Sequence, residues 1–298
     1  MRLFLVLTLV ASASASAQGP NPKFPVYGVD YSFERMVATR TVADAWDKGT
    51  IRLTSYVYRP LKKNDGHVVV VLHGSTGGMA IAPSEPNLGP GPSLGFFLAR
   101  GYTVVIPMRR GRAESTGHYV EECAYQASAC SLADYRKLTE PGLADALAST
   151  EAVVDQVVSR RLKVNRFLLW GSSRGGLLAL RYAADHPRQV RGVVAVSPGW
   201  LSMTEKWPAG ENAARLALQR SLFARAGAAY KGPSLWVYAD GDPFYPEALT
   251  RQFHAAYRDA GGAGTYVQVR DRKLASGHVP PVESWLDQAN RFLDALPQ

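Results

Sequence analysis

Cysteine is scarce in this chain, with two residues, Cys123 and Cys130, among 298. Neither a C-x-x-C pair nor a paired H-x-x-x-H spacing is present, so the sequence does not predict a structural zinc site. It also lacks G-x-x-x-x-G-K-S/T and G-x-G-x-x-G, the glycine patterns that hold phosphate groups in nucleotide-binding proteins. We therefore expect no metal and no cofactor.

Charge is sparse as well, because charged residues make up 20% of the sequence and hydrophobic residues 46%. These proportions are typical of a globular protein. The formal net charge of +9 comes from dispersed basic residues, and only Arg109, Arg110 and Arg112 form a tight group. Since no basic stripe alternates with aromatic residues, nucleic-acid binding is not predicted.

The N-terminus has the pattern of a secretory signal. A short basic start precedes Leu3–Ala11, an apolar stretch that is too short to span a bilayer. Ala15-Ser16-Ala17 fits an A-x-A cleavage site, with Ala13 or Ala15 as alternative cleavage points. We predict a signal peptide over residues 1–17 and a mature protein that is secreted or periplasmic, without stable membrane insertion.

Export also bears on the two cysteines. An even number of cysteines at short spacing in an exported protein indicates a disulfide bond, so we predict one between Cys123 and Cys130. The alternative is a pair of ordinary buried thiols.

The mature chain contains no repeat, low-complexity tract or Pro/Gly/Ser-rich linker, which predicts a single domain over residues 18–298.

Apolar patterns along the mature chain predict strands that alternate with helices. Continuous β-branched runs such as Val68–Leu72 indicate strands buried on both faces. Predicted strands are Asn21–Arg40, Ile51–Arg59, Val68–Leu72, Tyr102–Pro107, Phe167–Trp170, Val190–Val196, Ser234–Tyr238 and Thr265–Val269; predicted helices are Pro92–Arg100, Ala133–Arg161 with a break at Pro141, Glu247–Ala260 and Pro281–Leu296. The alternation predicts an α/β fold with a doubly wound, mostly parallel sheet. Leu201–Lys231 is either a small cap segment or an ordinary helix.

The strongest motif is GSSRGG at residues 171–176. It follows the apolar run Phe167–Trp170 and precedes leucines and alanines at helical spacing. Strand, sharp turn and helix are the context in which G-x-S-x-G marks a nucleophilic serine. Such a turn strains the serine backbone and requires small residues beside it. We predict that Ser173 is the nucleophile; the alternative is an ordinary glycine-rich connection.

Two later loops offer groups that could activate this serine. Asp240 and Asp242 follow the strand Ser234–Tyr238, and His278 lies in a glycine-flanked loop after the final strand. A serine hydroxyl needs a neutral imidazole as its base and a carboxylate that orients the imidazole. We predict His278 as the base, chosen from six histidines, and Asp242 as the acid, with Asp240 as the alternative.

An oxyanion hole requires two backbone N–H groups that converge on one point. The N–H of Arg174, at the start of the helix after the serine, is one candidate. The second is predicted in HGSTGG, residues 73–78, which follows the buried strand Val68–Leu72. Ser75 is the simplest choice there, and Thr76 is the neighbouring one.

In this order, the motifs HGSTGG, GSSRGG, DGDPFYP and SGH resemble those of the α/β-hydrolase superfamily, in particular its dienelactone-hydrolase-like and prolyl-oligopeptidase-like branch. Two features differ from that branch. Met108 replaces the aspartate that often begins the arginine-glycine run after the next strand, and the nucleophile is serine where dienelactone hydrolases use cysteine. The resemblance implies a serine hydrolase whose substrate is a small-molecule ester cleaved through an acyl-enzyme. The alternatives are a small peptidase that acts on short peptides and a non-catalytic binding protein of the same fold.

Overall fold

The computed structural model describes residues 29–75, 92–121, 132–201, 203, 209–270 and 277–297, with Pro92 and residues 132–138 and 209–211 described by their backbone alone. The predicted signal peptide, Thr76, Cys123 and Cys130 lie outside these ranges. Within them, no helix is both long and apolar enough to cross a membrane.

The described residues form an eight-stranded sheet. Its strands are β1 (Tyr31–Ala43), β2 (Lys48–Pro60), β3 (Val68–Leu72), β4 (Thr103–Pro107), β5 (Phe167–Ser172), β6 (Val190–Val196), β7 (Ser234–Ala239) and β8 (Gly264–Val269). They lie in the order β1-β2-β4-β3-β5-β6-β7-β8. The strands from β4 to β8 in this order are parallel, and β2 is antiparallel to both β1 and β4. The predicted mostly parallel sheet is confirmed.

Helices cover both faces of the sheet. They are α1 (Pro92–Ala99), α2 (Leu132–Val153, continued by a π-helical segment over Val154–Arg161), α3 (Arg174–Asp185), α4 (Ala209–Ala229), α5 (Glu247–Asp259), a 3-10 turn (Val282–Trp285) and α6 (Leu286–Asp294). Helices α2 to α5 pack on one face, and α1 and α6 on the other. In β3, Val68, Val70 and Leu72 face the first layer while Val69 and Val71 face the second. Burial on both faces explains the unbroken apolar runs of the central strands.

One local prediction is corrected, and one open alternative is decided. The chain remains helical through Pro141 instead of breaking there. The missing N–H of a proline removes one helical hydrogen bond, while Leu143 and Ala146 beyond it are buried against the sheet. In Leu201–Lys231, α4 buries Leu222 and Phe223 in the main core. The described part of that segment is therefore an ordinary core helix.

The topology determines where a site can form. β4 lies on one side of β3 and β5 on the other, so the connections around β3 leave in opposite directions. In such sheets a crevice opens outside the carboxyl ends of the strands at this point. The loops that follow β3, β5, β7 and β8 carry Ser75, Ser173, Asp242 and His278, and all of them leave the same edge of the sheet.

Candidate active site

Ser173 lies in a strained turn between β5 and α3. Its φ of 54° and ψ of −121° are rare for a residue with a side chain. Four main-chain hydrogen bonds hold it there: its N–H donates to the Val196 carbonyl over 2.8 Å, and its carbonyl accepts from the N–H groups of Gly176 (2.9 Å), Gly199 (3.2 Å) and Leu177 (3.3 Å). The turn therefore presents Ser173 in one fixed backbone conformation.

Close backbone approach explains the glycines beside Ser173. A Cβ on Gly171 would overlap with the carbonyl of Gly175, and a Cβ on Gly175 would overlap with the carbonyl oxygens of Leu72 and His73. The start of α3 therefore lies directly against the end of β3. This contact brings the turn of Ser173 and the turn after β3 together.

Asp242 and His278 form a hydrogen-bonded pair. His278 Nδ1 lies 2.9 Å from Asp242 Oδ2, and Oδ1 accepts the N–H groups of Phe244 (2.7 Å) and Tyr245 (3.0 Å). The Asp242 side chain is fully buried. Since a carboxylate only accepts hydrogen bonds, Nδ1 carries a proton, so in the neutral form of the imidazole the lone pair is on Nε2.

Asp240, the alternative acid, has a main-chain role in the same loop. Its N–H donates to the Val269 carbonyl over 2.7 Å at the end of the β7–β8 ladder. Gly241 then takes a φ of +74°, which turns the chain before Asp242. The carboxylate that lies against His278 is that of Asp242.

Tyr245 joins the histidine loop to the serine turn. Its ring lies 5.3 Å from the imidazole of His278 and occupies the space that a Cβ on Gly199 would need. Gly199 in turn donates its N–H to the carbonyl of Ser173. The Ser197 hydroxyl also donates to the His278 carbonyl. These contacts fix the loop of His278 against the turn of Ser173.

Four other histidines have structural partners away from this site. The pairs are His67 with Arg191 (2.8 Å), His118 with Asp47 (2.9 Å), His186 with Glu151 (2.8 Å) and His254 with the Gly264 carbonyl (3.2 Å). Each of these four imidazoles therefore has a structural partner, and none of these contacts involves Ser173 or Asp242.

The sixth histidine, His73, begins the turn after β3. Burial and the nearby guanidinium of Arg109 lower the pKa of His73 well below its usual value, so the ring is neutral. Its Nδ1 donates to the Gly74 carbonyl over 2.8 Å, and its Nε2 accepts the Arg109 N–H over 3.4 Å. A Cβ on Gly74 would lie 3.2 Å from the Cβ of Ser173. The turn that leads to Ser75 therefore passes directly beside Ser173.

Arg109 and Glu121 were not predicted as site residues, although the arginine-rich turn Met108–Arg112 follows β4 and was expected to line this edge of the sheet. Arg109 is buried and forms a two-pronged ion pair with Glu121, in which Nη2 and Oε2 are 2.8 Å apart. Its guanidinium also donates to the carbonyls of His73 (Nη1, 2.7 Å) and Gly74 (Nη2, 3.2 Å). The only signal available was the tight arginine group, which does not reveal the partner of each arginine.

Arg174 follows the serine and is tied to the same loop. Its Nε donates to the Trp200 carbonyl over 3.0 Å, and Nη1 lies 3.3 Å from both the Glu121 carbonyl and the Tyr119 hydroxyl. Its main-chain N–H lies at the first turn of α3, where a helix favours negative charge. Among the described residues, no group of three or more His, Cys, Asp or Glu side chains could hold a metal ion.

Comparison with known proteins identifies the class. The family model of the alpha/beta hydrolase fold matches residues 67–215, from the start of β3 into α4. The chain belongs to this family.

Individual relatives are more distant. The chain is 33% identical over 133 residues to a proline iminopeptidase from Arabidopsis thaliana, an alignment that covers 44% of this chain and 27% of that protein. An esterase structure from Pyrococcus furiosus is similar with a TM-score of 0.57 at 17% identity, covering 89% of this chain and 91% of that one. Acetyl xylan esterase 1 from a Thermoanaerobacterium species gives a TM-score of 0.53 at 19% identity, covering 87% of each chain. At these identities the two structures show the shared fold.

Proposed function

We propose that this chain is an exported serine hydrolase that cleaves carboxylic esters through an acyl-enzyme intermediate. The observation that carries the proposal is the buried Asp242 carboxylate bonded to His278, in a loop fixed against the strained turn of Ser173. This is the arrangement that turns a serine hydroxyl into a nucleophile. Two backbone amides on Oδ1 keep Asp242 oriented while its Oδ2 serves the imidazole.

In the proposed mechanism, Ser173 Oγ attacks the ester carbonyl as His278 Nε2 takes its proton. The N–H groups of Ser75 and Arg174 stabilise the oxyanion of the tetrahedral intermediate. His278 then gives the proton to the leaving alcohol, and the acyl group stays on Ser173. A water molecule, activated by the same imidazole, releases the acid in the second half of the cycle.

The surroundings of His278 favour an ester with an apolar alcohol. Phe244 and Val279 are exposed, and the Phe244 ring lies 4.7 Å from the imidazole in an edge-to-face arrangement. Because the imidazole protonates the leaving group, side chains on its solvent side border the leaving alcohol. An aromatic and an aliphatic side chain there suit an aryl or alkyl alcohol. The peptidase alternative is supported by the resemblance to a proline iminopeptidase.

Labelling and turnover test the nucleophile together. Wild-type protein should react with a fluorophosphonate probe and hydrolyse chromogenic esters, and Ser173→Ala should abolish both. Ser172→Ala is the matched control, because Ser172 is the adjacent hydroxyl and should be dispensable. Labelling that survives Ser173→Ala but disappears in Ser172→Ala would identify Ser172 as the nucleophile and contradict the proposal. Dipeptide and prolyl amide substrates, assayed in parallel, separate an esterase from a peptidase.

The leaving-group side is tested with esters of one acid and several alcohols. Phe244→Ala should lower kcat/KM for benzyl esters and leave methyl esters of the same acid nearly unchanged. An equal loss for both alcohols would contradict the placement of the alcohol beside Phe244.

Export is tested separately by fractionation and N-terminal sequencing, which should find the mature chain in the periplasm or medium with Gln18 as its first residue.

A further inference from the structure

We propose that Arg109 and Glu121 are positioning residues that hold the two halves of the oxyanion hole in register. This inference rests on the proposed function, because it concerns the N–H groups assigned to the oxyanion. Neither side chain is expected to touch the substrate, since both are almost completely buried. Their role is to fix the main chain that does.

Peptide geometry carries the first step. The carbonyl of Gly74 and the N–H of Ser75 belong to one planar trans peptide unit, so they point in opposite directions. Arg109 and the His73 ring both donate to that carbonyl, over 3.2 Å and 2.8 Å. Holding the carbonyl on the Arg109 side therefore fixes the direction of the Ser75 N–H on the other side. The bond from Arg109 to the His73 carbonyl fixes the preceding peptide unit in the same way.

Glu121 carries the second step, because it contacts both halves of the hole. Its carboxylate orients the Arg109 guanidinium, which holds the turn after β3. Its main-chain carbonyl lies 3.3 Å from Nη1 of Arg174, the residue that supplies the other proposed N–H. One short segment therefore links the turn of Ser75 to the start of α3.

The energetics of a buried ion pair support a role other than stability. Desolvation often cancels the attraction in such pairs, and apolar residues of similar size frequently serve the fold as well. A guanidinium has five N–H donors in a fixed plane, so it can bind a carboxylate and two carbonyls at once. A lysine ammonium has three donors on one atom and cannot span the same set.

Arg110 provides a matched control. It is the next residue, it is equally buried, and it too is paired with carboxylates, those of Asp44, Asp47 and Asp145. None of the contacts described for Arg110 involves the turn after β3. A loss that reflects only the removal of a buried arginine should therefore appear in both variants.

The kinetic test compares Arg109→Lys, the double variant Arg109→Gln/Glu121→Gln, and Arg110→Gln. The lysine keeps the buried charge pair, and the double variant leaves no buried charge unpaired, so at least one should fold.

A donor that acts only in the transition state lowers kcat and kcat/KM together and leaves KM unchanged. We expect a loss of about 10²- to 10³-fold in kcat for the Arg109 variants, as for removal of one oxyanion donor. Arg110→Gln should keep kcat within threefold of wild type. Wild-type kcat in folded Arg109→Lys, or an equal kcat loss in Arg110→Gln, would overturn the proposal.

Hydrogen exchange tests the positioning itself and does not require activity. The amides of residues 74 and 75 should exchange at least tenfold faster in the Arg109 variants than in wild type or Arg110→Gln. If wild-type protein cleaves no ester and takes up no fluorophosphonate, the proposed function is wrong, and the exchange rates still decide whether Arg109 holds this turn. Unchanged exchange at these two amides in folded Arg109 variants would refute the positioning role.

Discussion

Two clusters of ionisable side chains in this molecule differ in which partner is buried. In the pair at the carboxyl edge of the sheet, the Asp242 carboxylate is fully buried and His278 is 19% exposed. At the end of the β1–β2 hairpin, the cation is buried: Arg110 is 1% exposed, while its partners Asp44 and Asp47 are 39% and 20% exposed. The first arrangement keeps one carboxylate fixed and, in the proposed mechanism, leaves the imidazole within reach of the substrate. The second uses one guanidinium to collect acidic groups that remain partly in water.

In the proposed function, the Asp242–His278 pair serves the chemistry, whereas the contacts of Arg110 serve the fold. Arg110 binds Asp44 and Asp47, which lie in the β1–β2 turn, and also Asp145 in α2. Its hydrogen bonds therefore connect three parts of the chain that are distant in sequence. Asp242 binds only its own loop and one imidazole among its described contacts. Substitutions should affect turnover in the first region and stability in the second.

The largest effect is expected from Asp242→Asn. An amide in place of the carboxylate favours the wrong imidazole tautomer, so kcat should fall on the order of 10⁴-fold with KM little changed. Asp240→Asn is the matched control and should act mainly on stability, since the carboxylate bonded to His278 is that of Asp242. Steady-state kinetics with thermal unfolding of both variants checks this. An equal loss of activity in the two would mean that the acid is misassigned.

Arg110→Gln should produce the reverse pattern. Removing the guanidinium leaves three carboxylates close together without their shared cation. We expect a loss of about 3 kcal/mol in the free energy of unfolding, or roughly 6–12 °C in Tm, with kcat unchanged. Calorimetry and ester turnover on the same preparation check both parts. An Arg110→Gln variant with wild-type stability and reduced kcat would contradict the assignment of Arg110 to the fold.

Acid should weaken the hairpin end in a defined range of pH. Burial opposes ionisation of Asp47, but hydrogen bonds from His118 and Arg110 outweigh it and lower its pKa to about 2. The pKa of Asp44 is also lowered, chiefly by its hydrogen bond from Arg110. Carboxylates with lowered pKa values stabilise the folded state above their ordinary pKa, near 4, and lose that contribution as the pH falls toward 2. Between pH 4 and pH 2, the Tm of wild type should therefore fall more steeply than that of Arg110→Gln. Parallel curves for the two proteins would contradict this assignment.

The smallest effect on stability is expected from the cysteines, which lie outside the described residues. If Cys123 and Cys130 are bridged, the double Cys→Ser variant should change KM or substrate preference, while Tm falls only a few degrees. The reason is that the bridge would close a loop that continues from the arginine-rich turn at the carboxyl edge. Intact mass with alkylation before and after reduction comes first. Two free thiols in exported protein would end this prediction.

The parts of the fold that could be predicted from sequence are those that depend on local pattern. Val68–Leu72 has the same bounds in the sequence prediction and in β3, because burial on both faces leaves an unbroken apolar run. The strained turn at Ser173 was predictable because glycines stand where its close contacts leave no space for a Cβ. Loop position alone favours Asp242 over Asp240 as the acid; the structure brings the Asp242 carboxylate to 2.9 Å from His278 Nδ1, and the role of the carboxylate in catalysis stays a prediction.

Other features depend on contacts between distant residues. Pro141 predicted a break, but burial of the following turns keeps α2 continuous. Arg109 and Arg110 are adjacent and chemically identical, yet one holds the turn after β3 and the other holds the hairpin. No local pattern separates them, because their partners lie in other segments of the chain.

The contact of Gly175 with the end of β3 has a consequence for protein engineering. Any side chain at this position would overlap with the carbonyl of Leu72, so it would force apart the strand and the helix that meet at Ser173. A library aimed at new substrates should therefore leave residues 171–176 unchanged and vary Phe244 and Val279, whose exposed side chains have room to change. We therefore expect selectivity to be open to design at the rim of the site, whereas the glycines at its centre have no room for a side chain.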